Sequence, residues 1–225
     1  MPPRSSGTTG YPAGYTPAAP PLDGPILPER ANYFDAGIDR VFLPGLKLGA
    51  PIILSVFNYA HANVLGAEST GSYDSGNWSS YGNLSIGRER ATQLVSQQFN
   101  FTPQQLAYIA DHYIYTDHSQ WISASAGVSY RWLGTHFDTD LIYGSGLRED
   151  SGAIPNGGAV APYLQMNLGV SHRFSDVFGS PLELNAAVIN VTDRIYEIRS
   201  GTGVGVLAPQ YGPRRAFYAG VRRFF

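Results

Sequence analysis

Alternation of apolar and polar side chains with a period of two is the feature that most constrains how this chain can fold. It is clearest between Trp121 and Trp132. The apolar positions in this run are Ile122, Ala124, Ala126, Val128, Tyr130 and Trp132, and the positions between them are Ser123, Ser125, Gly127, Ser129 and Arg131. Successive side chains of a β-strand point to opposite faces of its sheet. The run therefore predicts a strand with one apolar face and one wet face.

The end of the chain shows the same alternation. One face of the final strand carries Phe217, Ala219, Val221 and Phe225, with Arg223 as its one exception, and the other carries Ala216, Tyr218, Gly220 and Arg222. In a soluble protein a terminal apolar strand would be an exposed edge that pairs with other chains. In a closed membrane barrel the edge is paired and the apolar face meets lipid. The pattern therefore favours a membrane barrel.

Similar runs recur along the chain and indicate its fold class. We predict strands at 32–42, 64–73, 81–90, 121–132, 136–143 and 163–174, followed by a hairpin over 181–225. Short turns are expected at 43–45, 74–79, 133–135 and 175–180, and long connections at 88–120, 144–162 and 199–214. Outer-membrane barrels combine short periplasmic turns with long extracellular loops. The predicted fold is all-β: a partial barrel of roughly eight antiparallel transmembrane β-strands with long extracellular loops.

One short helix is predicted inside the connection 88–120. Thr102 has the hydroxyl of a helix N-cap, Pro103 follows at the first helical position, and Gln105 occupies the third. This order matches a capping box with proline at the first helical position. We therefore expect a helix from Pro103 to about Ala110.

The composition agrees with a membrane barrel and argues against other classes of protein. Charged residues make up 14% of the chain and aromatic residues 13%. Aromatic residues lie at strand ends beside the short turns, as in the girdle of such a barrel: Tyr73, Tyr130, Trp132, Phe174 and Phe224. No apolar run approaches the roughly 18 residues that a membrane-spanning helix needs. The net charge of −2 gives no support for a nucleic-acid partner, and the absence of cysteine excludes disulfides and cysteine-based metal sites.

The end of the sequence, residues 190–225, resembles a known family. It contains N-x-x-D-R-x-Y at 190–196, a G-x-G segment at 201–203, A-P-Q-Y-G-x-R-R at 208–215, and a terminal Phe225. This long and irregular order resembles the C-terminal hairpin of TonB-dependent outer-membrane receptors of the siderophore-receptor type. The resemblance extends back to about residue 8 along the chain. It is interrupted near Gly49, where segments 46–49 and 50–53 are joined directly although relatives have a strand and a loop between them.

The resemblance implies a function and a location. Residues 31–225 would be the C-terminal segment of a receptor barrel in the Gram-negative outer membrane, and the Pro/Gly-rich residues 1–30 would be an irregular outer loop or tail. Such receptors take up scarce ligands, here an iron–siderophore complex, in an energised process. Because no signal peptide is visible, we expect a piece of a longer protein. The plug domain and the TonB-contacting segment are not visible either, so we expect that the chain does not transport alone. We also expect no enzymatic activity and no cofactor.

Partners and site residues also follow from the resemblance. The expected partners are outer-membrane lipid, lipopolysaccharide, the barrel-assembly machinery, TonB through the missing N-terminal part, and an iron chelate. Arginine and tyrosine suit an anionic chelate because they offer charge-assisted hydrogen bonds and flat contact area. The predicted ligand-binding residues are Arg88, Arg90, His112, Arg148, Tyr211 and Arg214, with Glu89 and Arg215 beside them. Contact with lipopolysaccharide phosphates, or ordinary solvation of the loops, explains these residues equally well.

The terminal residue has a separate expected role. Phe225 would belong to the assembly signal, although Arg223 occupies the position of a second aromatic residue.

Other interpretations of individual residues stay open at this point. Asp111-His112 and Asp117-His118 offer metal ligands, although a polar loop explains them more simply. Asp138 and Asp140 share one strand face and suit either acid–base chemistry or a water-lined barrel interior. Asp193, Arg194, Glu197 and Arg199 are expected to form ion pairs near the barrel rim.

Two alternatives for the whole chain also remain. A self-contained small barrel with a structural or passive-pore role would need its first and last strands to pair. A soluble β-sandwich enzyme would need the outer faces of its strands to be wet or packed.

Overall fold

A computed structural model describes residues 39–43, 46–49, 52–53, 59–95, 101–202 and 208–224 of the chain. Residues 1–38, among them the Pro/Gly-rich segment and the start of the predicted strand 32–42, lie outside the described residues, as does Phe225. The elements are β1 (Asp39–Leu43), β2 (Leu46–Gly49), β3 (Ile52–Ile53), β4 (Tyr59–Ser75), β5 (Trp78–Leu94), α1 (Pro103–Asp111), β6 (Ile114–Tyr115), β7 (Ile122–Trp132), β8 (Thr135–Gly144), β9 (Arg148–Ser151), β10 (Ile154–Ala159), β11 (Tyr163–Val177), β12 (Ser180–Ile189), β13 (Glu197–Arg199), β14 (Gln210–Tyr211) and β15 (Ala216–Arg223).

Most strands belong to one antiparallel sheet. Its order is β1-β2-β4-β5-β7-β8-β11-β12-β15, so each strand of this path pairs with the next one along the chain. β3 pairs with β4 and β6 with β5, while β9–β10 and β13–β14 form two separate hairpins. The all-β prediction is therefore confirmed. In the described part of the chain the sheet is open, with β1 and β15 at its two ends.

The register gives the sheet one apolar and one polar face. Neighbouring strands align Leu84 with Ala124, Tyr143 and Leu164 on one face. Such large apolar side chains are exposed to solvent in the isolated chain: Leu164 is 46% exposed and Leu65 51%. The opposite face of the same strands aligns Tyr81, Gly127, Asp140 and Asn167. The apolar face is thus a continuous outer surface, and no second layer covers it among the described residues.

The short turns lie at one end of this sheet. Leu133 and Gly134 join β7 to β8, and Phe178 and Gly179 join β11 to β12. All four residues have positive φ, the conformation of the two-residue turns that match strand twist. The turns predicted at 133–135 and 175–180 are confirmed, although β11 continues to Val177 because its pairing with Ser180 extends beyond Phe174.

The other end of the sheet is more ordered than the sequence predicts. β4 and β5 extend past the predicted strand ends because they keep one register from Ser75 and Trp78 to Tyr59 and Leu94. The predicted loop 88–120 therefore holds the end of β5, α1 and β6, and the loop 144–162 holds the β9–β10 hairpin. α1 begins with the predicted capping box, in which the Thr102 and Gln105 side chains bond reciprocally to each other's backbone N–H.

Residues 46–49 and 52–53, which belong to the directly joined segments of the sequence, both pair with β4. Leu46 pairs with Tyr73 and Gly49 with Thr70 in β2, and Ile52 pairs with Ala67 in β3. β2 and β3 therefore keep the same register against β4. Among the described residues, no helix has the length and apolar character needed to cross a membrane.

Candidate ligand site at the loop end

The helix and the loop strands pack on the extended end of β5. Thr92 donates a hydrogen bond from its hydroxyl to the backbone carbonyl of Ile109 in α1, at 2.7 Å. Ala91 of β5 pairs with Ile114 of β6, and Ile109, Ala91 and Ile114 are all buried. Most of the buried apolar residues in the described part of the chain lie here, beyond the last pairing of β5 with β7 at Ile86. A small core therefore fixes the loops at this end of the sheet.

Two predicted ligand residues meet at Tyr115 on β6. The guanidinium carbon of Arg148 lies 3.6 Å from the centre of the Tyr115 ring, and that of Arg90 lies 4.8 Å from it. Arg90 belongs to β5 and opposes Tyr115 directly in the register, whereas Arg148 begins β9. An aromatic ring attracts such cations through its negative face. Tyr115 therefore brings together two cations that are far apart in the sequence.

Unsatisfied polar atoms gather around the same ring. In the described part of the chain, four buried side-chain atoms have no hydrogen-bond partner: Arg90 Nε, Thr116 Oγ1, Arg148 Nε and Asn156 Oδ1. Thr116 follows Tyr115 in the chain, and the Asn156 amide donates a hydrogen bond to the Tyr115 carbonyl at 3.0 Å. A buried polar atom without a partner is costly. All four atoms thus belong to one cluster, which we call the Tyr115 cluster: Arg90, Tyr115, Thr116, Arg148 and Asn156.

The cluster carries positive charge without a carboxylate partner. The ion pairs in the described part of the chain involve neither Arg90 nor Arg148. Burial lowers the pKa of the Arg148 guanidinium, Tyr115 offsets part of that shift, and the charge of Arg90 adds to it. Burial also raises the pKa of the neighbouring Glu89 carboxyl. The arrangement favours a negatively charged group beside the two arginines.

A hydrogen-bond network holds the loops that frame the cluster. Gln105 of α1 donates to Asp150 Oδ2 at 3.2 Å, and Asp150 Oδ1 accepts from the backbone N–H of Asn156 at 2.9 Å. The backbone N–H of Asp150 in turn donates to Thr202 Oγ1 at 3.0 Å. Asp150 therefore links α1, the β9–β10 hairpin and the connection after β13.

The aspartate–histidine pairs of the sequence do not converge. Asp117 forms an ion pair with Arg199 at 2.9 Å and lies 3.3 Å from His118 Nδ1. His112 stacks on Tyr108 of its own helix, and its Nδ1 lies 3.1 Å from the Tyr108 carbonyl oxygen. Within the described ranges, histidine, aspartate and glutamate nowhere form a group of three or more able to hold a metal ion. Asp117 acts here as a partner for an arginine of a distant loop.

The remaining predicted site residues lie apart from the Tyr115 cluster. Arg88 is exposed on the face of β5 that carries Leu84 and Ile86. Tyr211 is 60% exposed on β14. Arg214 binds Asp193 through two hydrogen bonds. The structure thus brings together Arg90 and Arg148, and leaves His112, Arg88, Tyr211 and Arg214 at separate positions.

The N-x-x-D-R motif organises the end of β12. Asn190 is fully buried, and its amide nitrogen donates to the carbonyls of Arg194 and Pro213, each at 2.9 Å. Arg194 donates to the carbonyl of Pro162 at 3.0 Å. The predicted rim ion pairs are therefore made with other partners, because Asp193 pairs with Arg214 and Arg199 with Asp117.

Asp140 of β8 has a structural partner on the polar face. The Tyr81 hydroxyl donates to Asp140 Oδ1 at 3.1 Å across Gly127, which lies between them in the register. A carboxylate held by a tyrosine in this way contributes to the polar lining of the sheet.

Sequence reasoning missed three residues of the site: Tyr115, Asn156 and Asp150. Tyr115 lies in a short strand within a polar connection, and Asn156 precedes two glycines in what reads as a turn. The backbone of Asn156 has a φ of 53°, a conformation that asparagine adopts more readily than most residues. That preference was the one local signal, and it does not indicate a binding site.

Comparison with known proteins supports the fold. No protein-family model matches the chain, and no curated protein sequence matches it. Among solved structures it is similar to the crystal structure of the siderophore receptor PiuA from Acinetobacter baumannii, with a TM-score of 0.68 and 16% sequence identity. The similarity covers 88% of this chain, which spans 29% of the length of that receptor. At this level of identity, the likeness establishes a receptor-like arrangement of strands.

Proposed function

We propose that this chain forms part of the barrel wall of an outer-membrane receptor that takes up a scarce ligand. The observation that carries the proposal is the continuous apolar face, exposed across neighbouring antiparallel strands and opposed by a polar face. A large apolar surface is unfavourable in contact with water but not in contact with lipid. The polar face of the same strands then lines the lumen of the barrel. The similarity to PiuA supports a receptor rather than an enzyme.

The ligand class follows from the Tyr115 cluster and the solved relative. PiuA is a siderophore receptor, and two arginines without carboxylate partners suit a chelate with negative charge. We therefore propose an anionic iron chelate that contacts Arg90 and Arg148 at the loop end. Because the chain spans 29% of PiuA, energised uptake with a plug domain and TonB is proposed only for a larger receptor, assembled by the barrel-assembly machinery.

The membrane part of the proposal is tested by arginine substitution on the two faces of β5. Leu84→Arg puts a charge on the apolar face midway along the wall, and Ser85→Arg puts the same charge on the polar face. The first change should lower the free energy of unfolding in lipid vesicles by about 2–4 kcal/mol, while the second should change it little. Urea titration of the refolded chain measures both. Equal losses in the two variants would argue against a lipid-facing surface.

The ligand part is tested separately with two chelates of different charge. Ferric citrate serves as the anionic probe and ferrichrome as the neutral one, with tryptophan fluorescence as the readout. The double variant Arg90→Gln/Arg148→Gln should bind ferric citrate about a hundredfold more weakly or worse, because each of the two charge-assisted bonds contributes roughly 1.5–3 kcal/mol. Arg131→Gln, an exposed arginine at the turn end, is the control. Unchanged binding of ferric citrate by the double variant would overturn the assignment.

A further inference from the structure

Asn156 is held in one position by both its backbone and its side chain. Its backbone N–H donates to Asp150 Oδ1 at 2.9 Å, and its amide nitrogen donates to the Tyr115 carbonyl at 3.0 Å. The residue is 2% exposed. Because a carbonyl oxygen can only accept a hydrogen bond, Nδ2 of Asn156 must face Tyr115 and Oδ1 must point the other way. The orientation of this buried amide is therefore fixed by its partners.

The other end of the amide has no partner. Among the residues that the structure describes, Oδ1 of Asn156 is a buried acceptor without a donor, so neither arginine of the Tyr115 cluster donates to it. The Nε atoms of Arg90 and Arg148 are, within the same ranges, buried donors without an acceptor. Both arginines contact the ring of Tyr115, whose carbonyl holds Asn156. Unpaired donors and an unpaired acceptor thus lie around one residue, at a cost in free energy.

The chemistry of these atoms restricts the ligand further than charge alone does. An ionised carboxylate offers acceptor atoms only. It can pair with the guanidinium groups of Arg90 and Arg148, but it leaves Oδ1 of Asn156 without a donor. A hydroxyl or N–H group beside the carboxylate would supply that donor. The polar atoms of the cluster therefore match an anion with an adjacent hydrogen-bond donor, such as a hydroxy acid.

We propose that Asn156 determines which anions bind at the Tyr115 cluster, by accepting a hydrogen bond from a hydroxyl or N–H group beside the acid group of the ligand. Arg90 and Arg148 are half-buried, so an anion that pairs with these long side chains can draw them outward and bring its donor to Oδ1. A site with a buried acceptor discriminates strongly against a ligand that lacks the matching donor. This inference rests on the proposed function and narrows its ligand to an anion with such a donor.

Two iron-free acids, citrate and tricarballylate, test this assignment. Both carry three carboxyl groups, and tricarballylate lacks the central hydroxyl of citrate. At about pH 8 both acids are fully ionised, so they differ by one hydroxyl group and not by charge. Calorimetric titration of the full chain, refolded into phosphatidylcholine vesicles, measures the two dissociation constants. Wild type should bind citrate at least about fivefold more tightly than tricarballylate, and this ratio is the readout.

Two variants separate ligand recognition from structural support. The φ of Asn156 is 53°, which glycine and aspartate both tolerate. Asn156→Gly removes the acceptor, so the ratio should fall to about one. Asn156→Asp keeps an oxygen acceptor, so the preference for citrate should persist although the added charge weakens the binding of both acids. A purely structural role would weaken both acids equally, because they share their carboxylates, and would leave the ratio unchanged.

Asn77→Gly is the matched control. Asn77 is an exposed residue of the turn between β4 and β5, at the opposite end of these strands from the cluster. This variant should keep the wild-type ratio.

The outcomes separate this inference from the proposed function. If ferric citrate binding depends on Arg90 and Arg148 but wild type binds citrate and tricarballylate equally, water alone satisfies Asn156 and only this inference is wrong. A wild-type ratio in Asn156→Gly would also overturn it. If neither acid binds, the inference is wrong, and the ferric citrate titration decides separately whether the proposed ligand is wrong as well.

Discussion

Asp193 accepts two hydrogen bonds from the guanidinium of Arg214, from Nε at 2.8 Å and from Nη2 at 2.6 Å. The same carboxylate accepts a third hydrogen bond from the backbone N–H of Arg215 at 3.0 Å. Asp193 follows β12 and Arg214 precedes β15, so the pair closes the long connection between the last two strands of the sheet. A bidentate arginine–carboxylate pair fixes geometry better than a single contact does.

Asp193→Asn should therefore lower the midpoint of urea unfolding at neutral pH. The hydrogen bond of Arg214 is the main cause that holds the pKa of Asp193 below its usual value. An unfolded aspartate titrates near pH 3.9, so the stabilisation is complete above about pH 5 and is lost as the pH falls through the folded pKa. The difference in unfolding midpoint between wild type and variant should become smaller as the pH falls below about 5. Urea titrations at a series of pH values would measure it.

Glu183→Gln is the matched control for this pair. Glu183 lies 3.8 Å from Arg222 in a looser ion pair at the sheet surface, and such pairs contribute little. A loss as large as that of Asp193→Asn, or a difference that does not depend on pH, would contradict the role given to Asp193.

The Tyr81–Asp140 hydrogen bond depends on the absence of a side chain at Gly127. A Cβ at Gly127 would overlap the Tyr81 ring and lie 2.8 Å from Asp140 Oδ1. Gly127→Ala should therefore displace the Tyr81 ring and break its bond to Asp140, which should lower the free energy of unfolding by about 0.5–1.5 kcal/mol, the contribution of one hydrogen bond. Gly169→Ala is the control on the same face, because its Cβ would meet the nearest atom at 3.5 Å, an ordinary contact. Similar unfolding free energies for the two variants would exclude this role of Gly127.

The long strands of the main sheet could be predicted because each has its own local signal. Alternation fixes the two faces of a strand such as β7, and the hydroxyl of Thr102 with proline and glutamine after it identifies the start of α1. These signals involve neighbouring residues only. They therefore predict a strand or a helix without any knowledge of which strands pair in the sheet.

The loop end could not be predicted in the same way. Alternation fails on β5 at Arg88 and Arg90, so the strand looks as if it ends there, although pairing with the start of β4 carries it on to Leu94. The contact of Arg90 and Arg148 with Tyr115 depends on how two separate loops pack, and no periodicity records that packing. The sequence therefore indicated Arg90 and Arg148 as candidates for ligand binding, but it did not indicate that both contact Tyr115.

Docking of α1 on β5 depends on one buried hydroxyl. The Thr92 hydroxyl reaches the carbonyl of Ile109 at 2.7 Å, and both residues are buried. Thr92→Val keeps the shape of the side chain and removes the hydrogen bond, which should loosen the helix by about 1–2 kcal/mol. Hydrogen exchange of the α1 amides should then become faster, whereas the control Thr70→Val, at an exposed strand position, should leave it unchanged. Unchanged amide exchange in the Thr92 variant would show that the apolar contacts hold α1 on β5 without this hydrogen bond.

Tyr59 should make the stability of the loop end sensitive to alkaline pH. Burial raises the pKa of the Tyr59 hydroxyl to about 12, with smaller contributions from the charges of Asp117 and Glu89. The folded protein therefore favours the neutral phenol. An unfolded tyrosine titrates near pH 10, so its contribution is complete below about pH 10 and declines as the pH rises towards the folded value. The loss should be about 1 kcal/mol by about pH 11 and about 3 kcal/mol once the pH exceeds the folded pKa.

Tyr59→Phe should remove this part of the alkaline loss. Urea titrations of wild type and variant at about pH 8 and about pH 11 should show a smaller decrease for the variant, because phenylalanine has no proton to lose. Tyr211→Phe, at a tyrosine that is 60% exposed, is the matched control and should behave like wild type. If the free energy of unfolding falls by the same amount in Tyr59→Phe and Tyr211→Phe between these pH values, the fold does not keep the phenol of Tyr59 neutral.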